Sequence, residues 1–302
     1  MGLKLLYLDD FIADQIEGQG FRALLEIGGI LFDLEQAGEV ERQWLAAKQQ
    51  VGLDSGYCLK WNDGTGTRQR VLQQVHTTWP EVLGAAQQAI VSSPVTVLVS
   101  CMLDTRDSEP RGLSARVFQT TALEYILQHL VPTFGPDDQL MIVVDRPGSA
   151  PVVTDPTALA MQSYQYQGAG ADAPFAAFAQ YRSSGCASRI PAFNLPPLAP
   201  TTCPLGLLST VTKTDNHMQM ADMVCGFFGT WLKNELGPSS QLLFPDVNET
   251  AIRTRQGVRP LFAKVLGNGL TTPNRQAFGR GIIVFPHGMN YYDTLCSSVT
   301  GS

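Results

Sequence analysis

Two strongly apolar runs, LKLLYLDD at residues 3–10 and QLMIVVD at 139–145, both stop at aspartate. Each reads as a buried strand. Strands of this kind, mixed with helical patterns, belong to α/β sheets covered by helices. Ligand sites in such sheets gather at the carboxyl ends of strands. Asp9, Asp10 and Asp145 are therefore expected at one edge of one sheet. Converging carboxylates bind hard divalent cations, which activate water and stabilise phosphoryl charge.

The rest of the chain fits that frame. FRALLEIGGILFD, residues 21–33, reads as one strand or two, antiparallel to the first, with Gly28 and Gly29 marking a bend or bulge. Leu34, Val40, Trp44, Leu45 and Val51 recur at helical spacing, so a helix is expected over 35–51. The polar loop GYCLKWNDGTGT follows, then a helix over 67–92 kinked at Pro80. VTVLVSCML reads as a strand, residues 113–131 as a helix, and 139–145 as the next strand. Residues 146–206 are rich in proline and break the pattern, so they read as a long insertion or lid. A strand at 207–212 and a helix at 215–236, stopped by Gly237–Pro238, complete an α/β core over 1–236. Residues 237–302 read as a C-terminal extension packed on the core, with one strand at 281–285.

The closing helix carries the third acidic element. Asp215, Gln219 and Asp222 are spaced i, i+4, i+7 and share one stripe. Met218, Ala221, Cys225 and Phe228 form an adjacent apolar stripe, so Asp222 borders the core. A carboxylate there is costly unless a metal or a lysine neutralises it. Along the first strand the side chains alternate, which points Asp9 inward and leaves Asp10 as an assisting or second-metal ligand. Any one of these aspartates also reads as a strand-end turn or helix cap; taken together they read as a metal site. His217 stands near the stripe, either as a proton shuttle or as a plain helix-start histidine.

Other chemistries find less support. No GxSxG nucleophile elbow occurs, and GTGT at 64–67 lacks the lysine and length of a phosphate-binding loop. No cysteine pair has CxxC spacing, and Cys101 and Cys225 sit in apolar runs as buried thiols. A net charge of −6 gives no support for strong non-specific DNA binding. Yet Arg253, Arg255, Arg259, Lys264, Arg275 and Arg280 follow one another with no acid between them. That run reads either as a solvated surface or as a contact for a phosphate backbone. No apolar stretch approaches membrane-spanning length and no signal peptide is expected before the first strand, so a reducing, cytoplasmic setting is expected.

YLDD, the GGILF strand, LKW, IVVD and MQMAD occur in an order that resembles an uncharacterised family with a ribonuclease H-like fold. Members open on a strand ending in Asp-Glu-Ser-Gly and close the core with a helix carrying Gln-Leu-Ala-Asp. The resemblance spans residues 4–236 and implies a mixed sheet flanked by helices. It also implies a Mg²⁺- or Mn²⁺-dependent nuclease site, a phosphodiesterase acting on nucleic acid. Asp9 and Asp10 match the two opening acids, Asp145 the acid after the central strand, and Gln219 and Asp222 the closing motif. Lys60 and Trp61 resemble a Lys-Trp pair in the loop after the first helix. In a two-metal mechanism Asp9 would bridge the ions, Asp145 and Asp222 would each complete one shell with Asp10 assisting, and Lys60 would neutralise phosphate charge. Gln219, Asp215 and His217 would support those ligands from behind. The chain departs from the pattern at Asp10, one methylene shorter than glutamate, at Phe11 and Ile12 in place of Ser-Gly, and at Cys58. The competing expectation is accordingly an inactive scaffold or partner-binding protein on the same fold.

Overall fold

The computed structural model describes residues 2–14, 21–61, 72–105, 126–127, 130, 133–135, 137–145, 205–211, 214–236, 258–266 and 281–285. The insertion up to residue 204 and most of the 113–131 segment lie outside the described residues. Strands β1 (Leu3–Asp14), β2 (Phe21–Asp33) and β3 (Thr96–Thr105) form an antiparallel meander. β4 (Gln139–Asp145) runs parallel to β1, and β5 (Leu205–Val211) runs parallel to β4. β6 (Ile282–Phe285) runs parallel to β3. The order across this six-stranded sheet is β5-β4-β1-β2-β3-β6. The α/β class and the mixed sheet follow, and the two aspartate-ended runs are hydrogen-bonded neighbours.

Period-two alternation explains what each face does. Leu5, Tyr7, Ile30, Phe32, Val97, Val99 and Val143 lie on one face and enter one core cluster. Leu6, Leu8, Leu98, Ile142 and Val144 take the opposite phase and are buried as well. Burial on both sides is what turns these strands into near-continuous apolar runs.

Three local expectations are corrected. Gly28 and Gly29 make no bulge: pairing with β1 is continuous there, and the β2–β3 register shifts at Phe21/Ala23 instead. The missing Cβ serves close approach, since a Cβ on Gly29 would lie 1.8 Å from the Tyr7 carbonyl oxygen. Pro80 does not kink a long helix. The chain turns at His76, whose φ is 55°, and α2 (Trp79–Ser92) starts afresh. Thr78 and Glu81 form its capping box, with the Thr78 N–H donating to the Glu81 carboxylate at 2.7 Å, and Pro80 sits in the first turn where no N–H is needed. The chain also makes no turn after Asp10, because β1 pairs with β2 as far as Asp14.

Helix α1 (Ala37–Gln50) packs on α2, and α3 (Asn216–Leu236) lies across β1 and β2. The expected single apolar stripe on α3 is too narrow a description. Every residue from Met218 to Gly229 is buried. A helix apolar all round belongs inside a core. Its outer cover includes the C-terminal segment: Phe262 packs on Phe228 and Trp231, with ring centroids 5.7 and 5.3 Å away. Leu266 donates its N–H to the Val97 carbonyl at 3.0 Å, tying the same segment to the sheet.

Candidate functional site

Asp9 shares its alternation phase with Tyr7, so it points under α3 and is 4% exposed. Asp10 takes the other phase and is exposed. Asp145 ends β4. The last β1–β4 pair is Leu8 with Val144, so Asp145 stands beside Asp9 at the next register position. Its side chain lies outside the described residues. Asp222 reaches the region from α3 and is 7% exposed; its Oδ2 accepts the Trp61 backbone N–H at 2.5 Å.

Cys225 sits among these acids. Its thiol donates to the backbone carbonyls of Asp9 at 3.2 Å and Gly28 at 3.1 Å. Burial pushes the thiol well above its usual pKa, and the charges of Glu26, Asp9, Asp222 and Asp10 add to the rise. Asp9 and Asp222 are thus brought to one region, across one helix turn from a thiol that feels both. Among the described residues no three His, Cys, Asp or Glu side chains are grouped so as to hold a metal ion.

The loop carrying Lys60 is fixed by Trp61. The Trp61 indole packs edge-on to Trp79 and Phe227, with centroids 6.1 and 5.1 Å away. It fills the space over Gly226, where a Cβ would lie 1.9 Å from the ring. Glycine costs a helix interior about 1 kcal/mol, and here it opens a slot for the loop. Lys60 itself is half-buried.

Gln219 is a junction behind the site. Its Oε1 accepts from Trp44 Nε1 at 3.1 Å, Lys48 Nζ at 3.3 Å and the Leu59 N–H at 3.2 Å. Lys48, fully buried on the stripe of Trp44 and Val51, also donates to Ser55 O and Asn216 Oδ1. Burial lowers its pKa, against the nearby Cys58, Asp54 and Glu41. Asp215 precedes α3 and accepts the N–H groups of His217 and Met218 at 2.9 and 3.0 Å. His217 stacks on Phe32 and packs at a tilt against Tyr7, and its Nε2 meets the Ala37 carbonyl at 3.1 Å. Its Nδ1 lies 3.4 Å from Asp215 Oδ1, an ion-pair distance without hydrogen-bond alignment. Asp215 and His217 therefore hold the start of α3.

Of the basic run, Arg259 is exposed, while Lys264 donates to the Ser93 carbonyl at 2.7 Å. Arg253, Arg255, Arg275 and Arg280 lie outside the described residues. No helix among the described residues is long and apolar enough to cross a membrane.

No family model, curated protein or solved structure matches this chain. The geometry is therefore the basis for assigning function.

One site residue escaped the sequence reading. Glu26 lies on β2 in phase with Gly28, Ile30 and Phe32, faces α3 and is 1% exposed. Burial, then Asp9 and Asp10, push its carboxyl well above the ordinary range. The signal was present in ALLEIGGILF: an acid at an inward position of an otherwise apolar strand.

Proposed function

We propose that this chain is a Mg²⁺- or Mn²⁺-dependent phosphodiesterase acting on nucleic acid, built on a ribonuclease H-like core. The observation that carries the reading is the placement of Asp9. It is buried on the sheet face under α3, beside the register position of Asp145 and in the region that Asp222 enters from the helix. An antiparallel meander continued from its first strand by two parallel strands supports the fold assignment.

The donor set is all carboxylate, which suits a hard cation. Asp9, Asp145 and Asp222, with Asp10 assisting, are the residues that would hold it. A bound cation would lower the pKa of its water and offset charge on phosphoryl oxygens. The chain's own contribution is positioning. Trp61 and Gln219 anchor the 53–61 loop on α3, which sets Lys60 next to Asp222 for contact with a phosphate. The basic run from Arg253 to Arg280 is the part assigned to the nucleic-acid backbone. A reducing, cytoplasmic setting is part of this reading, with Cys101 and Cys225 as buried thiols.

A second reading has its own observation. β1 continues past Asp10, and Phe11 packs where a Gly229 Cβ would stand, within 2.4 Å. That roof over the acids favours an inactive scaffold. Calorimetric titration with Mn²⁺ and Mg²⁺, beside cleavage assays on single-stranded DNA and RNA, separates the two. The nuclease reading expects Mn²⁺ binding and cleavage that Asp9→Asn removes. Absence of both in the wild-type chain selects the scaffold.

A further inference from the structure

Glu26 is 1% exposed, and neither carboxyl oxygen has a hydrogen-bond partner among the described residues. A buried carboxyl without partners is costly, and such groups in native structures call for a physical reason. A core position of this size is filled at less cost by leucine or methionine. Protonation would remove the charge but leave an O–H donor and a carbonyl oxygen still unmet. Among the described residues, the charges that act on the group are those of Asp9 and Asp10, both negative. Its surroundings therefore raise the cost instead of offsetting it.

The position is specific. Glu26 Oε1 lies 3.3 Å from where a Cβ on Gly28 would stand, and Gly28 is the register partner of Asp9. The carboxyl thus occupies the space above Gly28, directly across from Asp9. Glu26 is the diagonal neighbour of Asp9, a spacing of about 7–8 Å that long side chains still reach across, and one cation can take a carboxylate from each. From the helix side, Gly229 supplies no side chain; a Cβ there would come within 2.6 Å of Oε2. Across β4, β1 and β2 the register sets the Asp145 position, Asp9 and Gly28 in a row, with Glu26 one same-face step further along β2.

We propose that Glu26 is a further carboxylate of the acidic site and, with Asp9, ligates a hard divalent cation on the β2 side. This rests on the metal-dependent reading above. A cation is the species that satisfies both bare oxygens and neutralises the adjacent acids at once. It also gives Gly28 a function, as the place where a side chain would crowd the carboxyl, while the space at Gly229 is shared by the Phe11 ring and Glu26 Oε2.

The test uses the full chain, MnCl₂ as the probe, and two readouts: a calorimetric isotherm and the Mn²⁺-induced rise in melting temperature. Glu26→Gln keeps shape and removes ligand charge. It is expected to weaken Mn²⁺ binding roughly tenfold or more, the scale of losing a supporting group at a metal site, and to shrink the thermal shift. Glu26→Asp, which keeps the charge with shorter reach, is expected to fall between wild type and Glu26→Gln. If Glu26→Gln is unfolded without metal, Glu26→Asp alone decides, and wild-type binding in it overturns the inference. If Glu26→Gln binds Mn²⁺ as wild type does while Asp9→Asn does not, the metal reading stands and the role of Glu26 falls. If wild type binds no Mn²⁺, both fall.

Discussion

At the scale of single residues, burial decides what each polar group does. Gln219 shows this most directly, because its one oxygen serves three donors from α1 and the following loop. Gln219→Ala leaves the Trp44 indole N–H and the Leu59 N–H without their acceptor. At about 1–3 kcal/mol for each orphaned buried donor, urea denaturation should read a loss of at least about 2 kcal/mol. Asp215 and His217 give the chain a pH signature. The Asp215 carboxyl sits below its usual range: burial pushes it up, but His217 and the N–H of Met218 pull it down further. His217 is raised: burial lowers it, but Asp215, the Ala37 carbonyl and Glu41 outweigh that. Their stabilisation is thus complete between the ordinary values of 3.8 and 6.5. It is lost as pH falls through the depressed Asp215 pKa and as pH rises through the elevated His217 pKa. Melting temperature should therefore drop as pH rises above 6.5, and His217→Gln should flatten that part of the curve.

At the scale of elements, local propensity and tertiary fit pull in opposite directions within α3. Gly226→Ala gains about 1 kcal/mol of helix propensity but drives a methyl into the Trp61 indole. Overpacking of this kind costs about 1–3 kcal/mol, so the net change should be destabilising. A double mutant with Trp61→Ala should recover stability relative to Gly226→Ala alone, measured as a coupling energy by chemical denaturation. Thr78→Ala tests the start of α2 in the same way. Loss of the capping box should cost about 1 kcal/mol, an outcome that a helix running unbroken through Pro80 would not give. The strands of the sheet were legible because their period and composition are local properties. Residues 139–145 and 21–33 match the expected spans. The restart at Trp79 was less legible because the left-handed turn at His76 carries no Gly or Asn signal.

At the scale of the whole molecule, the C-terminal segment completes the core. Val258, Leu261, Phe262 and Val265 are buried, and β6 extends the sheet beyond β3. Phe262→Ala should cost about 3–5 kcal/mol, as for other buried aromatic truncations, and lower the melting temperature of the entire domain in one transition. A segment that only decorated the surface would leave it unchanged. The acidic site is also a property of this scale. Asp9, Asp222 and Glu26 come from β1, α3 and β2, and α3 packs across β1 and β2. Asp9 and Asp222 were legible as a strand end and a helix stripe. Glu26 was not, because its meaning depends on which side of β2 receives the helix.

The amino-acid order by itself determined the α/β class, the strand set and the inward direction of Asp9. Each follows from a period-two or helical pattern confined to a few residues. Only the tertiary structure decided that α3 is buried on every side from Met218 to Gly229, that Gln219 is a three-way acceptor and that Glu26, buried on the same face as Asp9, has no hydrogen-bond partner among the described residues. The reason is that burial and hydrogen-bond partners are set by elements far apart in the chain. Packing, not pattern, turns a row of acids into a candidate site.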